Sequence, residues 1–431
     1  MVRISLYKIM ISLDKNTQAF FALMRAGLWT DAETNFDLND NANFDGKVDW
    51  EKVYQLAGEQ SVVGLVLAGI ERYNKLNDNA RSPSPLGLSK NLNFDDNANH
   101  TNQLIDNEGD SQLGLRSTLR LELPPQELLL QWIGEVQILE QQNKAMNEFV
   151  AKLIEKLSKE DVYAILVKGQ GIAQCYEKPL WRASGDVDLL LDAKNYEKAK
   201  AYLTTKADSV DPEYTSESHL SMMIKDYVVE LHGSMHTRLS KSIDSFVDNV
   251  QDGTFKKQKV RSWRNGAIEV SLPAPDEDII FVFTHIIKHF FLEGIGLRQI
   301  CDWCRLLWTY KDTLNHGLLE KRIRKMGLMS EWKAFAALAV DSLGMPKEAM
   351  PFYDSRFKVK GERILEFVLE MGNFGHNREI ETSKSYIGGK LASTFRKLKD
   401  FGHHMRIFPI DSVKFFCYFA IDGIGGAMRG E

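Results

Sequence analysis

The stretch Leu166–Leu191, LVKGQGIAQCYEKPLWRASGDVDLLL, places two carboxylates one residue apart inside an apolar run. On an extended strand, residues i and i+2 project from the same face, so Asp186 and Asp188 would point together while Val187 points away. Two adjacent negative charges repel each other unless a cation lies between them. Mg²⁺ held by carboxylates and by substrate phosphates is the usual solution. The alternative is an Asp-rich turn that caps a strand.

The sequence around this acidic pair favours the metal interpretation. The apolar segment 164–167 predicts a strand, and a Lys-Gly pair at 168–169 begins the turn after it. Arg182 precedes the acids in the pattern Arg, two residues, Gly-Asp-x-Asp. Downstream, the segment VVELH at 228–232 predicts another strand, and this strand carries a third acid, Glu230.

These motifs resemble the nucleotidyltransferase superfamily typified by DNA polymerase beta, and in particular its bacterial branch of uncharacterised nucleotidyltransferases. The resemblance extends more loosely from about residue 20 to residue 375, with one insertion. It implies an α+β fold, in which a small mixed sheet of the nucleotidyltransferase type is flanked by N-terminal and C-terminal helical units. It also implies the transfer of a nucleoside monophosphate from an NTP to an unknown acceptor, which could be a sugar, a protein, a small molecule or RNA.

The resemblance also implies roles for individual residues of this chain. Mg²⁺ or Mn²⁺ is the expected cofactor, and the expected catalytic and metal-binding residues are Asp186, Asp188 and Glu230. The residues expected to contact the nucleotide and its phosphates are Lys168, Gly169, Arg182 and Gly185. Residues expected to support the site from its surroundings are His232, His285, His289, Arg298 and Asp302.

The turn after the first predicted strand departs from the superfamily pattern. The usual Gly-Ser turn supplies a hydroxyl that helps to hold the triphosphate, whereas Gln170 follows Gly169 here, and the spacing from Gly169 to Asp186 is longer than is common. Lys168 and Arg182 could supply these contacts, because ammonium and guanidinium groups suit phosphate oxygens. The alternative function is a catalytically degenerate nucleotide-binding or interaction protein of the same fold, in an envelope-polysaccharide or peptide-modification pathway.

Composition excludes several other classes of protein. The 431-residue chain has a net charge of −5, which gives no general attraction for nucleic acid and no strong signal for DNA binding. Its four cysteines do not make a disulfide framework. The first residues, MVRISLYKIMISLDKN, are interrupted by charges and lack the sustained apolar region of a signal peptide. The sequence also has no run of 18 uncharged apolar residues, which a transmembrane helix would require. We therefore expect a cytoplasmic protein without membrane contact.

Periodicity and composition divide the chain into four segments. Residues 1–76 predict an N-terminal helical unit, and residues 77–122, rich in Asn, Asp, Ser and Pro, predict an insertion or a linker. Residues 123–275 predict the α/β core, with a hairpin at Asn265-Gly266, and residues 276–431 predict a C-terminal helical unit. The predicted helices cover residues 17–34, 50–73, 127–157, 196–205, 276–310, 318–345 and 361–372.

Two further patterns suggest metal sites but favour other interpretations. Residues 41–52 resemble a calcium loop, but Lys52 stands where a bidentate Glu is required, so a polar turn before a helix capped by Asp49 is preferred. Cys301 and Cys304 could form a zinc site with the histidines upstream. They lie in a periodic helix, however, which is typical of buried core cysteines.

Charged and aromatic patterns elsewhere leave structural alternatives open. Arg182 could be a structural arginine paired with a core carboxylate, and Arg298 and Asp302 could form an ordinary ion pair on one helix. The alternating basic residues of segment 257–263 favour a charged edge strand over a phosphate contact. The aromatic residues of segment 415–419 favour packing of a helix on the core over docking to a membrane surface.

Overall fold

The N-terminal part of the chain is helical, and its predicted second helix is broken in two. The computed structural model describes residues 14–29, 48–80, 123–214, 218–373 and 399–429. Asp49 caps the helix after it, as predicted, and accepts a hydrogen bond from the Lys52 amide at 3.4 Å. The break lies at Ser61, whose φ of 54° interrupts the helical path. The helices are α1 (Lys15–Leu28), α2 (Trp50–Glu59) and α3 (Val63–Ala80).

Helices α1 and α3 approach closely because glycines lie at their crossing. A Cβ atom built on Gly69 would lie 2.0 Å from the Leu23 carbonyl oxygen. One built on Gly27 would lie 2.1 Å from the Leu65 carbonyl oxygen. Neither position can accept a side chain without separating the two helices.

The central unit is a five-stranded mixed sheet packed against helices. The strand order is β1-β2-β5-β4-β3, in which β2 and β5 are parallel and the other neighbours are antiparallel. The register places Asp188 beside Val167 on one side and beside Glu230 on the other. The elements in order are α4 (Gln126–Lys159), β1 (Ile165–Val167), α5 (Gly169–Ala173), a 3₁₀ turn (Pro179–Trp181), β2 (Asp186–Leu190), α6 (Ala193–Thr204), β3 (Ser209–Val210), β4 (His219–Ile224) and β5 (Tyr227–His232).

A hairpin and a series of helices follow the sheet. Asn265 pairs with Ile268 across the predicted turn, and Gly266 has the positive φ of 63° that the turn requires. The predicted helices 276–310 and 318–345 are each broken, at Gly294 (φ 103°) and at Gly327 (φ 75°). The elements are α7 (Lys241–Lys256), β6 (Val260–Asn265), β7 (Ile268–Pro273), α8 (Pro275–Leu292), α9 (Leu297–Tyr310), α10 (His316–Met326), α11 (Met329–Asp341), two 3₁₀ turns (Lys347–Ala349 and Ser355–Phe357), α12 (Lys358–Met371), α13 (399–407) and α14 (Pro409–Arg429).

The N-terminal and C-terminal helices share one hydrophobic core. That cluster contains buried residues of α1, α3, α8, α9, α11 and α12, whereas a second cluster lies between the sheet, α4 and α6. The Trp29 indole donates to the Leu343 carbonyl at 2.6 Å, and the side-chain amide of Gln60 donates to the Val368 carbonyl at 3.2 Å. The predicted α+β fold is confirmed: helices from both ends of the chain flank a central mixed sheet.

Several alternatives from the sequence are decided by this packing. Cys301 and Cys304 are completely buried on α9, and neither belongs to a metal-ligating cluster among the residues that the structure describes. Lys259 pairs with Glu277 at 2.8 Å, and Arg261 pairs with Asp278 at 2.7 Å. These two basic groups therefore neutralise acids in the first turn of α8. The predicted aromatic packing is confirmed for the buried Phe415 of α14.

Two predicted features fall on residues that the structure does not describe. Most of the calcium-like loop lies within residues 30–47, and nearly all of the predicted insertion lies within residues 81–122. Among the described helices, none is both long enough and apolar enough to cross a membrane.

A buried acid on α11 gives a prediction for stability. Glu331 is completely buried and faces Asp411 of α14, and burial, followed by repulsion from Asp411, raises the pKa of Glu331 well above its usual value. The folded state therefore retains a proton that the unfolded chain releases. Stability should fall as pH rises above the usual carboxyl pKa, by up to about 1.4 kcal/mol per pH unit. Glu331→Gln should remove this slope in chemical unfolding between pH 5 and pH 8.

The exposed Glu348 provides the matched control for Glu331. Glu348→Gln should leave the pH dependence of unfolding as it is in the wild type. If the free energy of unfolding changed with pH in the same way for Glu331→Gln and for the wild type, the assignment of a retained proton to Glu331 would be contradicted.

Candidate active site

Three acids converge on one face of the central sheet. Asp186 and Asp188 lie on β2, and Glu230 lies on the parallel strand β5, directly beside Asp188. One ligand atom from each of the three acids lies within 4.8 Å of the others, close enough to hold a metal ion together. The alternation along β2 brings the first two acids together, and the sheet register adds the third.

Asp188 is the most buried of these acids, and two side chains donate to it. Its carboxylate is 1% exposed, the Lys168 ammonium lies 2.8 Å from Oδ1, and the His232 Nε2 atom lies 2.7 Å from the same oxygen. Burial opposes ionisation, but these two groups hold the pKa of Asp188 below its usual value. In the same way burial opposes the charge on Lys168, and the neighbouring carboxylates hold the pKa of its ammonium above the usual value.

The pKa values of the other two acids, Asp186 and Glu230, are shifted in opposite directions by this environment. Repulsion from Asp188, followed by burial, raises the pKa of Asp186 to about 6. For Glu230, burial is outweighed by hydrogen bonds from His219 and His232, which hold the pKa of Glu230 below its usual range. The site therefore concentrates negative charge that its own cations only partly balance, as a cation-binding site requires.

His219 belongs to this site, and the sequence analysis missed it. It lies on β4 directly opposite His232, with the two rings stacked at 4.8 Å, and its Nε2 atom lies 3.3 Å from Oε2 of Glu230. The His232 Nε2 atom lies 3.3 Å from the same oxygen. The only available signal was the alternation of apolar and polar residues in HLSMMI, which predicts a strand but does not show which strand it joins.

The turn after β1 has an unusual backbone conformation. Lys168 has φ 56° and ψ −146°, a region that glycine adopts easily and other residues rarely do. Gly169 follows with φ 34°. Gln170, which stands where the superfamily has serine, is buried with its amide against the Met146 sulfur, so its side chain is directed into the core. Gly185, before the acidic strand, is exposed, with open space around its Cα atom.

Arg182 is engaged by a core carboxylate. Its guanidinium donates twice to Asp302, from Nε at 3.1 Å and from Nη2 at 2.6 Å, and its side chain is only 7% exposed. Tyr176 also donates to Asp302, at 2.8 Å. Arg298 donates to the Ala183 carbonyl at 3.0 Å, and burial, followed by repulsion from Arg182, lowers the pKa of Arg298 to about 10. Arg182 and Asp302 thus fix the segment that enters β2.

The two histidines of α8, His285 and His289, have different electrostatic partners. Burial, and then the nearby Lys168 ammonium, lower the pKa of His285 well below its usual value, so this imidazole is neutral beside the site. The His285 and His289 rings are in contact, with centroids 4.2 Å apart. His289 is paired with Glu293 at 2.8 Å.

A cavity of about 190 Å³ adjoins the segment before β2. It lies between α3 and residues 176–183, and Ala183 and Arg298 belong to its wall. Its lining combines small and aliphatic residues of the N-terminal helices with two aromatic rings, five basic groups and two acids. A cavity of this composition suits a small molecule that carries negative charge. Side chains that line it include Arg72, Lys75, Tyr176, Lys178 and Trp181.

Comparisons with known proteins identify a family. Neither the curated proteins nor the solved structures gave a match to this chain. The model of a family described as "Uncharacterised nucleotidyltransferase" matches residues 46–344. This match covers more than half of the 431 residues and includes all three acids, the turn after β1 and the Arg182–Asp302 pair. The chain therefore belongs to the uncharacterised nucleotidyltransferase family.

Proposed function

We propose that this protein transfers a nucleoside monophosphate from an NTP to an acceptor and releases pyrophosphate. The observation that carries the proposal is the convergence of Asp186, Asp188 and Glu230, in a chain of a nucleotidyltransferase family. Three carboxylates whose oxygens lie within 4.8 Å of one another form a donor set that suits Mg²⁺ or Mn²⁺. No other group of three carboxylates in the described part of the chain offers this arrangement.

The proposed reaction is an in-line displacement at the α-phosphorus. The acceptor hydroxyl oxygen forms a bond to this phosphorus, and the bond to the oxygen that bridges to the β-phosphate breaks. A divalent cation at the carboxylates supplies charge neutralisation for the triphosphate and the departing pyrophosphate. We assign the acceptor side of the site to Glu230, whose side chain is 24% exposed, and we infer that the hydroxyl proton leaves to water at this exposed side.

We assign to Lys168 the neutralisation of charge on the triphosphate. Its ammonium lies within the acidic cluster, and its side chain is 17% exposed, so it is accessible from the open face of the sheet. Gly185, just before Asp186, is exposed with open space around it, which permits close approach of phosphate oxygens, whereas Gly169 is buried and contributes the turn conformation through its φ of 34°. Arg182 holds the entry to β2 through Asp302 and thereby positions Asp186.

Two variants of Lys168 separate its charge from its backbone strain. Lys168→Met and Lys168→Gly both remove the ammonium, so each should weaken NTP binding by about tenfold or more. Glycine also relieves the positive φ, so Lys168→Gly should be more stable than Lys168→Met by about 1–2 kcal/mol. Calorimetric NTP titration and chemical unfolding measure the two effects. Equal stability of the two variants would show that the backbone at residue 168 is unstrained.

The decisive experiment for the proposed function is product formation from an α-labelled NTP. The purified protein is incubated with labelled NTP, Mg²⁺ or Mn²⁺, and a cell extract divided into small-molecule and macromolecular fractions. We expect label to transfer to one fraction, with release of pyrophosphate, and no transfer with Asp186→Asn. Tight metal-dependent NTP binding without transfer to either fraction would instead support the degenerate nucleotide-binding function.

A further inference from the structure

Two histidines and one acid form a second cluster of metal ligands beside the three carboxylates. His219, Glu230 and His232 each offer one ligand atom, and these atoms lie within 4.8 Å of one another. The cluster shares Glu230 with the carboxylate cluster, but its other two ligands are imidazole nitrogens. We propose that this cluster is a mixed nitrogen–oxygen metal site that selects a divalent transition cation such as Mn²⁺ over Mg²⁺. This inference rests on the proposed function, because that function places catalytic cations at this face of the sheet.

The separations between ligand atoms are those expected around a common ion. Both Nε2 atoms, of His219 and of His232, lie 3.3 Å from the same Oε2 oxygen of Glu230. Ligands about 2.1 Å from a cation, at tetrahedral to octahedral angles, are separated from each other by about 3.0–3.4 Å. The rings are held in this orientation by the sheet, because His219 and His232 are directly opposite each other on β4 and β5 and their rings stack.

Hydrogen bonding accounts for part of this arrangement, but two imidazole nitrogens share one carboxylate oxygen. The His232 Nε2 atom already lies 2.7 Å from Oδ1 of Asp188, and a ring nitrogen carries only one proton to donate. Its 3.3 Å contact with Glu230 is therefore the longer of its two hydrogen-bonding contacts, and the same Glu230 oxygen faces His219 at the same distance. A cation shared by all three ligand atoms would take the place of the donated protons, because an imidazole nitrogen binds a metal in its neutral form and releases its proton to water.

The chemistry of the donors determines which cation is selected. Mg²⁺ prefers oxygen ligands in octahedral geometry, whereas imidazole nitrogen favours transition cations. Two histidines and one carboxylate on one side of an ion leave the remaining positions open. Here the side chains of His219 and Glu230 are 22% and 24% exposed, so those positions face the solvent side, from which substrate would enter.

A matched control exists on the same chain. His236 lies 2.8 Å and 3.0 Å from the two oxygens of Asp248, which is an ordinary pairing of one histidine and one carboxylate. This pair belongs to no group of three ligands within the described residues. His236→Gln therefore removes one imidazole from the protein without touching either cation position.

Metal titration of the full chain without nucleotide tests the proposal. Free Mn²⁺ is followed by electron paramagnetic resonance, and Mg²⁺ by its competition with Mn²⁺. We expect the wild type to bind Mn²⁺ at least about tenfold more tightly than Mg²⁺. His219→Gln should weaken Mn²⁺ binding by about tenfold or more and leave Mg²⁺ binding within about twofold. His236→Gln should match the wild type for both cations.

A spectroscopic measurement identifies the ligands directly. Electron spin echo modulation of the Mn²⁺-loaded protein should show nitrogen couplings from imidazole, and these couplings should weaken in His219→Gln. Unchanged Mn²⁺ affinity in His219→Gln, or the absence of nitrogen couplings in the wild type, would overturn the proposal. Because the titration contains no NTP, its result is independent of NTP transfer: loss of transfer with intact Mn²⁺ binding would count against the proposed function alone.

Discussion

Asp188→Asn is expected to abolish metal-dependent NTP binding and also to destabilise the fold. The Asp188 carboxylate accepts hydrogen bonds from both Lys168 and His232. An asparagine amide at this position carries no charge, so the largely buried ammonium of Lys168 loses its closest counter-charge. Breaking a buried ion pair by removing one partner typically costs about 3–5 kcal/mol. Loss of a metal ligand should reduce NTP affinity in Mg²⁺ by at least about a hundredfold, measured by calorimetry.

Asp186→Asn is the comparison that separates these two effects. Asp186 is repelled by Asp188, which raises its pKa to about 6, so its neutralisation removes an unfavourable charge contact. We expect the melting temperature of Asp186→Asn in EDTA to equal or exceed that of the wild type, while Mg²⁺-dependent NTP binding is lost. Wild-type NTP affinity in either variant would remove the assignment of these acids to the metal site.

Arg182→Ala is expected to have the second largest effect, on stability. The guanidinium makes two hydrogen bonds to Asp302, and both side chains are less than one-tenth exposed. Its removal takes away the ion-pair partner of a buried carboxylate, which keeps the Tyr176 hydroxyl as a hydrogen-bond donor, so the free energy of unfolding should fall by about 3–5 kcal/mol. Arg324→Ala is the matched control, because Arg324 pairs with Glu320 on the surface of α10, where such pairs contribute about 0.3–0.5 kcal/mol.

Nucleotide binding by the same variant distinguishes positioning from direct phosphate contact. If Arg182 acts by holding the segment before Asp186, Arg182→Ala should weaken NTP and NMP binding by similar factors. If its guanidinium contacts the β- or γ-phosphate, NTP binding should fall about ten- to a hundredfold more than NMP binding. Preferential loss of NTP affinity with an unchanged melting temperature would contradict the positioning role. Calorimetric titrations of both nucleotides, with stability measured in parallel, give the answer.

Local patterns carried much of the information about the fold. The alternation in GDVDLLL placed Asp186 and Asp188 on one strand face, and Asn265-Gly266 placed the hairpin turn. The helices were recognised by their apolar periodicity, but their breaks at Ser61, Gly294 and Gly327 were not. Apolar residues on both sides of a short break keep nearly the same period, so periodicity alone does not reveal where a helix ends.

The partners of the site residues were beyond the reach of sequence. Lys168 was expected to contact phosphate, and its ion pair with Asp188 depends on the antiparallel register of β1 and β2. His219 lies 11 residues before Glu230 and was overlooked, because its place depends on the pairing of β4 with β5. Glu331, an apparently ordinary helical acid, becomes a raised-pKa group because the fold buries it and brings Asp411 of α14 beside it.

The sequence by itself determined the acidic strand, the third acid and the family, because these depend on residue order and on the two-residue period of a strand. Only the tertiary structure decided that Arg182 pairs with Asp302, 120 residues away, and that His219 and His232 converge on Glu230. The physical reason is that a charged group takes whichever partner the packing brings within a few ångströms. Sheet register and helix packing set those distances, and they are properties of the whole chain rather than of any local segment.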